Sequence, residues 1–345
     1  MKELLSLPEA SFVAEGSYNQ EFNGRAFDEL LLQLDMNVAA SGGTAVPHQH
    51  GALRLLGVPE LIQAENTLIR ANAIDLYHGA AFFNGGYGDH IQSGSITTGN
   101  DDDQVVNIRT KFSRIIPTMV VNANDHKAFV RGNFGTKGSF ATAASAANVS
   151  TVAGDLRPSV ISTMRNTKAG FLRPRITQAE KAVDTLSDSI PYTIHFSQDT
   201  IVRGFSVRAY DASADEDVDG MIRGLRAYTT DSRGSNDIVR ARWGTIRRRT
   251  AGLAGWNRED YARSVGWGFL PMTDEANPQL GGAHLFKQND TITFEFNTSK
   301  TAEKGFTSVD ATTGDKVFVT VWGATPVAAS GDTGPQLRSS NVKRR

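Results

Sequence analysis

The sequence predicts an all-β chain of two sandwich domains with a few short helices, and three observations carry that expectation. Short apolar runs alternate with polar residues at period two. Clusters of Gly, Ser, Thr, Asn and Asp, with 33 glycines in all, punctuate those runs. The length of 345 residues allows two domains at roughly 100–200 residues each.

Composition excludes several classes. Hydrophobic residues make up 39% and charged residues 21%, so the chain is neither disordered nor membrane-spanning. A formal net charge of −1 argues against a dedicated nucleic-acid binder, which would be strongly basic. The absence of cysteine rules out disulfides, iron–sulfur clusters and a thiolate nucleophile. The opening Met1 to Pro8 has no apolar core for a signal peptide, and no apolar run approaches the ~18 residues of a membrane span. The expectation is synthesis in a cytoplasm without export.

Residues 1–24 are expected to form an arm, with Leu4, Leu5 and Leu7 on a small apolar face. Such an arm either frays or docks on a neighbouring subunit or membrane surface. The first strand runs from Phe27 to Met36, where Leu30, Leu32, Leu34 and Met36 share a face. Apolar segments follow at 52–58, 60–69, 73–83, 105–116 and 119–121. Residues 131–175 are rich in Gly, Ala, Ser, Thr and Asn, and are expected to be a long loop excursion ordered by neighbours. Thr177 and Glu180 have the spacing of a helical capping box.

The second half alternates more openly. Tyr192, Ile194 and Phe196 share one face, as do Ile292, Phe294 and Phe296; Phe205 and Val207 alternate with Ser206 and Arg208. Residues 317–322 are apolar on both faces, as a doubly covered strand should be. Asn257 is placed to cap a short helix over 258–264. The resulting division is an arm at 1–24, a first sandwich at 25–185, a second at 186–326 and a basic tail at 327–345.

Candidate chemistry is sparse. Gly42, His48 and His50 match the opening of a cupin metal motif, but Arg54 and Leu55 stand where its glutamate belongs. Gly281 and His284 carry only part of the second cupin motif, with Pro278 displaced and Gln288 in the Asn position. Asp215, Asp217 and Asp219, followed by Gly220, resemble half of a calcium loop, because alternate carboxylates can converge on a hard cation. Arg226 replaces the bidentate glutamate at position twelve, which favours a solvated acidic turn over a calcium site. Residues 100–103 form a second acidic turn. Arg240, Arg242, Arg247, Arg248 and Arg249 surround Trp243 and would point to both faces of a strand, suiting nucleic acid or inter-subunit salt bridges. In the tail, Arg338, Lys343, Arg344 and Arg345 could reach lipid or nucleic-acid phosphate. Phosphate-loop, nucleophile-elbow and zinc-helix motifs are missing, so no enzyme and no cofactor beyond that calcium are expected.

The order of segments resembles the double jelly-roll major capsid proteins of tailless, membrane-containing bacteriophages, the lineage that includes adenovirus hexon. The similarity runs through Gly24–Leu34, Gly51–Ile62, Ile115–Met119 and the excursion after it. It continues through Ile190–Phe196, the short helix before Gly266–Pro271, Asp290–Phe296 and Lys316–Trp322. The resemblance implies an all-β fold of two jelly rolls and a structural role: homotrimers, pseudo-sixfold in outline, tiling an icosahedral virion shell assembled in the host cytoplasm. It implies as partners neighbouring capsomers, minor capsid or penton proteins, and an internal membrane or genome facing the basic tail. The rival readings are a carbohydrate- or receptor-binding module of a fibre or spike, with Trp256 and Tyr87 as sugar-stacking candidates, and the cupin-type metal enzyme.

Overall fold

The computed structural model describes residues 3–87, 90–91, 94–124, 126–162, 172–231, 234–272, 283–298 and 312–327. The tail with Arg338, Lys343, Arg344 and Arg345 lies outside them, as do Pro278 and Gly281. The first half contains β1 (Glu3–Ser6), β2 (Ala10–Ser11), β3 (Ser17–Phe22), β4 (Ala26–Ala40), α1 (Gly51–Leu56), β5 (Glu60–Gln63) and β6 (Asn66–Arg70). It continues with α2 (Ala73–Asn84), β7 (His90–Ile91), β8 (Asp101–Lys111), α3 (Phe112–Ile115), β9 (Val121–Asn122), β10 (Ala128–Asn133) and β11 (Val149–Ser162). The second half contains β12 (Leu172–Ala182), β13 (Ile190–His195), β14 (Thr200–Asp211), β15 (Glu216–Asp217), β16 (Gly224–Asp231), β17 (Gly234–Arg242) and α4 (Trp243–Ala254). It closes with α5 (Arg258–Arg263), β18 (Trp267–Pro271), β19 (His284–Phe286), β20 (Thr291–Asn297) and β21 (Lys316–Pro326).

These strands make three sheets. In the first, β1, β11, β4, β8 and β7 lie in that order. The alternation expected at 27–36 extends through β4, where Leu30, Leu32, Leu34, Met36 and Val38 are buried. The third sheet is β13-β20-β16-β17, and its Ile292, Phe294 and Phe296 close the second core. The middle sheet is shared, in the order β15-β14-β21-β12-β6-β5-β10-β3. Its β3–β6 flank faces the first sheet and its β14–β21 flank faces the third, giving a sandwich at each end. The halves meet where β6 and β12 pair in parallel, Ile69 opposite Ile176.

Four expectations are corrected. The described part of the arm belongs to the first sandwich, with β1 and β2 on β11 and β3 on β10. The supposed excursion at 131–175 contains β11, a fourteen-residue strand inside the first sheet. Its alternation is hidden because Gly154, Pro158 and Ser162 fill inward positions between Val152, Leu156 and Val160, and an irregularity at Val149/Thr151 shifts the phase. Gly154 is required there, at φ 145°, since a Cβ would lie 2.1 Å from the Asp35 carbonyl oxygen. Thr177 and Glu180 begin no helix; they lie in β12, which pairs with β21 along its whole length. Long-range pairing with an apolar strand overrides the local capping signal. The acidic run Asp101–Asp103 opens β8 opposite Val38 and Asn37 instead of forming a turn. The helix at 258–263 is present as expected, with Asn257 and Asp260 making a reciprocal capping box.

Between the halves lies α2, whose residues 73–81 are all buried, as in a helix with no solvent face. Phe82 stacks on Phe269 at 4.2 Å, and a Cβ at Gly79 would lie 2.0 Å from the Trp322 ring. On β21, Val317, Val319 and Val321 enter the second core while Trp322 and Ala324 join the core around α2. The strand that is apolar on both faces is therefore covered on both.

Candidate functional site

The most concentrated chemistry in the described residues is a charged seam between the two halves. It follows from a tight reversal after β14. The Asp211 carboxylate accepts bonds from Ser213 N, Ser213 Oγ and Ala214 N, and Asp215 takes a positive φ of 56°. The chain then returns as β15, with Asp217 opposite Tyr210.

The three alternate aspartates turn to three different guanidinium groups. Asp215 receives Arg54 of α1 through two nitrogens, at 2.7 and 2.9 Å, and the Tyr210 hydroxyl. Asp217 receives Arg208 at 2.7 Å. Asp219 lies 2.8 Å from Nε of Arg247 on α4 and also accepts from Trp243 Nε1 and Gly266 N. The candidate calcium loop of Asp215, Asp217 and Asp219 and the favoured solvated acidic turn are both corrected: the carboxylates diverge into separate ion pairs, that of Asp217 buried, and do not converge on one cation.

Arg208 is the centre of the seam. It bonds Asp75 of α2 and Asp217 of β15, both at 2.7 Å, and all three side chains are at most 2% exposed. Its guanidinium also lies over the Phe318 ring at 4.2 Å. Gln178 of β12 donates to Asp75. Burial pushes Asp217 upward, but Arg208 and His50 outweigh it and hold the carboxyl below its ordinary range. Burial wins at Asp75, whose pKa is raised despite Arg208.

His48 and His50 precede α1 and face this seam. His48 Nε2 bonds the Asp215 carbonyl oxygen, and His50 Nε2 lies 3.2 Å from Asp217 Oδ2. His78, one turn along α2 from Asp75, meets His50 edge-to-face at 5.0 Å. Burial pushes the His78 pKa well below its usual value. His50, His78 and Asp217 thus bring three buried donor atoms together. His284 does not join them. It is exposed on β19 opposite Val202, six residues along β14 from Arg208, about 20 Å by strand rise. The cupin pairing of His48 and His50 with His284 is therefore corrected.

Other candidates are also relocated. The basic cluster straddles the β17–α4 junction: Arg240, Arg242 and Arg248 are exposed, whereas Arg247 is buried and bonds Ser264 and the Trp267 carbonyl. Tyr87 and Trp256 face each other at 5.4 Å against the first core, and Tyr87 bonds His78 Nδ1 at 2.6 Å, so they serve internal packing rather than a sugar platform. The sequence gives no pattern that assigns Arg208, Asp75, His78 or Arg54 to this seam. The only signal was charge inside apolar runs, with Asp75 and His78 at helical i, i+3 spacing.

No family model and no curated protein matches the chain. By fold it is similar to the major capsid protein of Sulfolobus Turreted Icosahedral Virus, with a TM-score of 0.68 at 11% identity over 94% of this chain and 97% of that one. It is similar to the PBCV-1 virus capsid at 0.58 and 12% identity, over 96% and 97%. The major capsid protein of bacteriophage PM2 gives 0.53 at 9% identity, over 96% and 100%. The chain has the double jelly-roll fold of these capsid proteins.

Proposed function

We propose that this double jelly-roll chain is a structural subunit of a viral capsid, built to assemble and not to catalyse. The observation that carries the reading is that the likeness runs along nearly the whole of both chains. Two sandwiches locked into one block by a charged seam suit a shell element. Three such chains around an axis would present six sandwiches, a near-hexagonal outline able to tile an icosahedral virion with minor capsid or penton proteins at its vertices. Assembly of that virion would take place in the host cytoplasm.

Purified protein is expected to be a homotrimer or larger, with little free monomer. Native mass spectrometry or analytical ultracentrifugation at micromolar concentration checks it, with electron microscopy for particles. A stable 37.3 kDa monomer would count heavily against the capsid role, because obligate assemblies bury much of their surface.

The basic tail is assigned to the inner layer. Arg338, Lys343, Arg344 and Arg345 would attract membrane or genome phosphate, at about 1 kcal/mol per charge near an anionic surface. Removing residues 330–345 should leave the melting temperature unchanged. It should reduce particle yield or binding to anionic vesicles or nucleic acid, and that binding should fade at 1 M salt, where the screening length is about 3 Å. A large drop in melting temperature would instead make the tail part of a sandwich.

A further inference from the structure

We propose that His50, His78 and Asp217 form a divalent transition-metal site of the zinc type that ties the first sandwich to the second. Both histidines come from the first half, flanking or within its helices, and the carboxylate comes from β15 of the second. One donor atom from each lies within 4.8 Å of the other two, and all three residues are buried.

His50 Nε2, His78 Nε2 and Asp217 Oδ2 have no hydrogen-bond partner, although His50 and Asp217 approach to 3.2 Å. Buried polar atoms are ordinarily satisfied, so three unsatisfied atoms in one buried cluster require an explanation. The His50–Asp217 contact at 3.2 Å is not aligned as a hydrogen bond. A metal ion needs the opposite arrangement, with lone pairs converging on a point between the donors. A tetrahedral ion with bonds of about 2.0–2.2 Å spaces its ligands about 3.3 Å apart, which the His50–Asp217 pair already matches.

The surrounding residues fit. Tyr87 hydroxyl lies 2.6 Å from His78 Nδ1, where it can accept a hydrogen bond from Nδ1–H and leave Nε2 for the ion. Arg208 holds Asp217 Oδ1 at 2.7 Å, leaving Oδ2. Two imidazoles and one carboxylate suit zinc or cobalt rather than calcium or magnesium, which take oxygen shells. Three protein donors leave one coordination position for water.

The test uses full-length protein without an affinity tag, stripped with chelator and returned to zinc. Elemental analysis should find about one zinc per chain, and the melting temperature should rise by about 5 °C at saturating zinc. Cobalt should give the intense visible bands of a tetrahedral site. His78→Phe keeps an aromatic ring among Trp267 and Tyr87, and His50→Gln keeps a polar side chain; each should lose at least about tenfold in zinc affinity and most of the thermal shift. Folded wild-type protein that takes up no zinc would overturn the proposal, as would equal uptake by both variants. If neither variant folds, the wild-type cobalt spectrum decides: tetrahedral bands support the site, and their absence overturns it.

Discussion

Arg208→Met should sharply destabilise the full-length protein, by about 3–5 kcal/mol. The substitution keeps most of the side-chain volume but removes the cation, including its stacking over Phe318, so the loss is chiefly electrostatic. Asp75 and Asp217 would remain in the interior without their shared cation, both at most 1% exposed. Total stability of a domain is about 5–15 kcal/mol, so a loss of that size is a large fraction of it. Thermal melting followed by circular dichroism should show a fall of at least about 5 °C, or insoluble protein. Adding Asp75→Asn and Asp217→Asn to the same chain should recover much of the loss, because the cost comes from uncompensated charge rather than from lost volume. An unchanged melting temperature in the single variant would mean that the carboxylates reach water.

Phe294→Asp should prevent the second sandwich from forming. Phe294 is fully buried on β20, opposite Tyr192 of β13 and Ala227 of β16, and meets Phe205 of the facing sheet at 5.2 Å. Removing the ring costs about 3–5 kcal/mol, and burying an unpaired carboxyl adds a further penalty of about 1–3 kcal/mol or more. Together these approach or exceed the whole stability of the half. Phe294→Leu, which keeps the position apolar, should still melt cooperatively. If the aspartate variant keeps its circular dichroism spectrum and melting temperature, Phe294 does not face the core.

Phe294 was legible in the sequence because its strand has one wet face and one dry face, so period-two alternation reports burial directly. Arg208 was not, for the complementary reason. It alternates with Phe205 and Val207 just as a solvent-facing residue would, yet the polar side of β14 turns toward α2. Ser206, Thr320 and Gln178 are disguised in the same way: each bonds another residue of the seam, with Ser206 accepting from Trp322 Nε1 at 2.9 Å. A polar residue hydrogen-bonded inside a protein has the same letter as one bonded to water. The aspartates at 215, 217 and 219 were marked for the right chemistry, anionic and spaced on alternate positions, but their partners lie up to about 160 residues away. β11 was hidden by the small residues that let it lie inside a sheet.

The junction of β12 with β21 also dictates an order of events during synthesis. Glu180 on β12 and its neighbour Lys316 on β21 are 136 residues apart in the chain. At roughly 5–20 residues per second, a ribosome needs on the order of ten seconds to make that stretch. During that interval the strands of the first sheet already have their partners, since β1 needs only β11, although the core around α2 still lacks Trp322 and Ala324 of β21. Its free β6 margin can accept β12 over just Ile176 and Thr177. The rest of β12 must wait with unpaired backbone groups for the last strand of the fold, and so must β14, whose central partner is also β21. The nascent chain therefore keeps these adhesive edges open until β21 has been made, and the docking of β21 is the step that closes them.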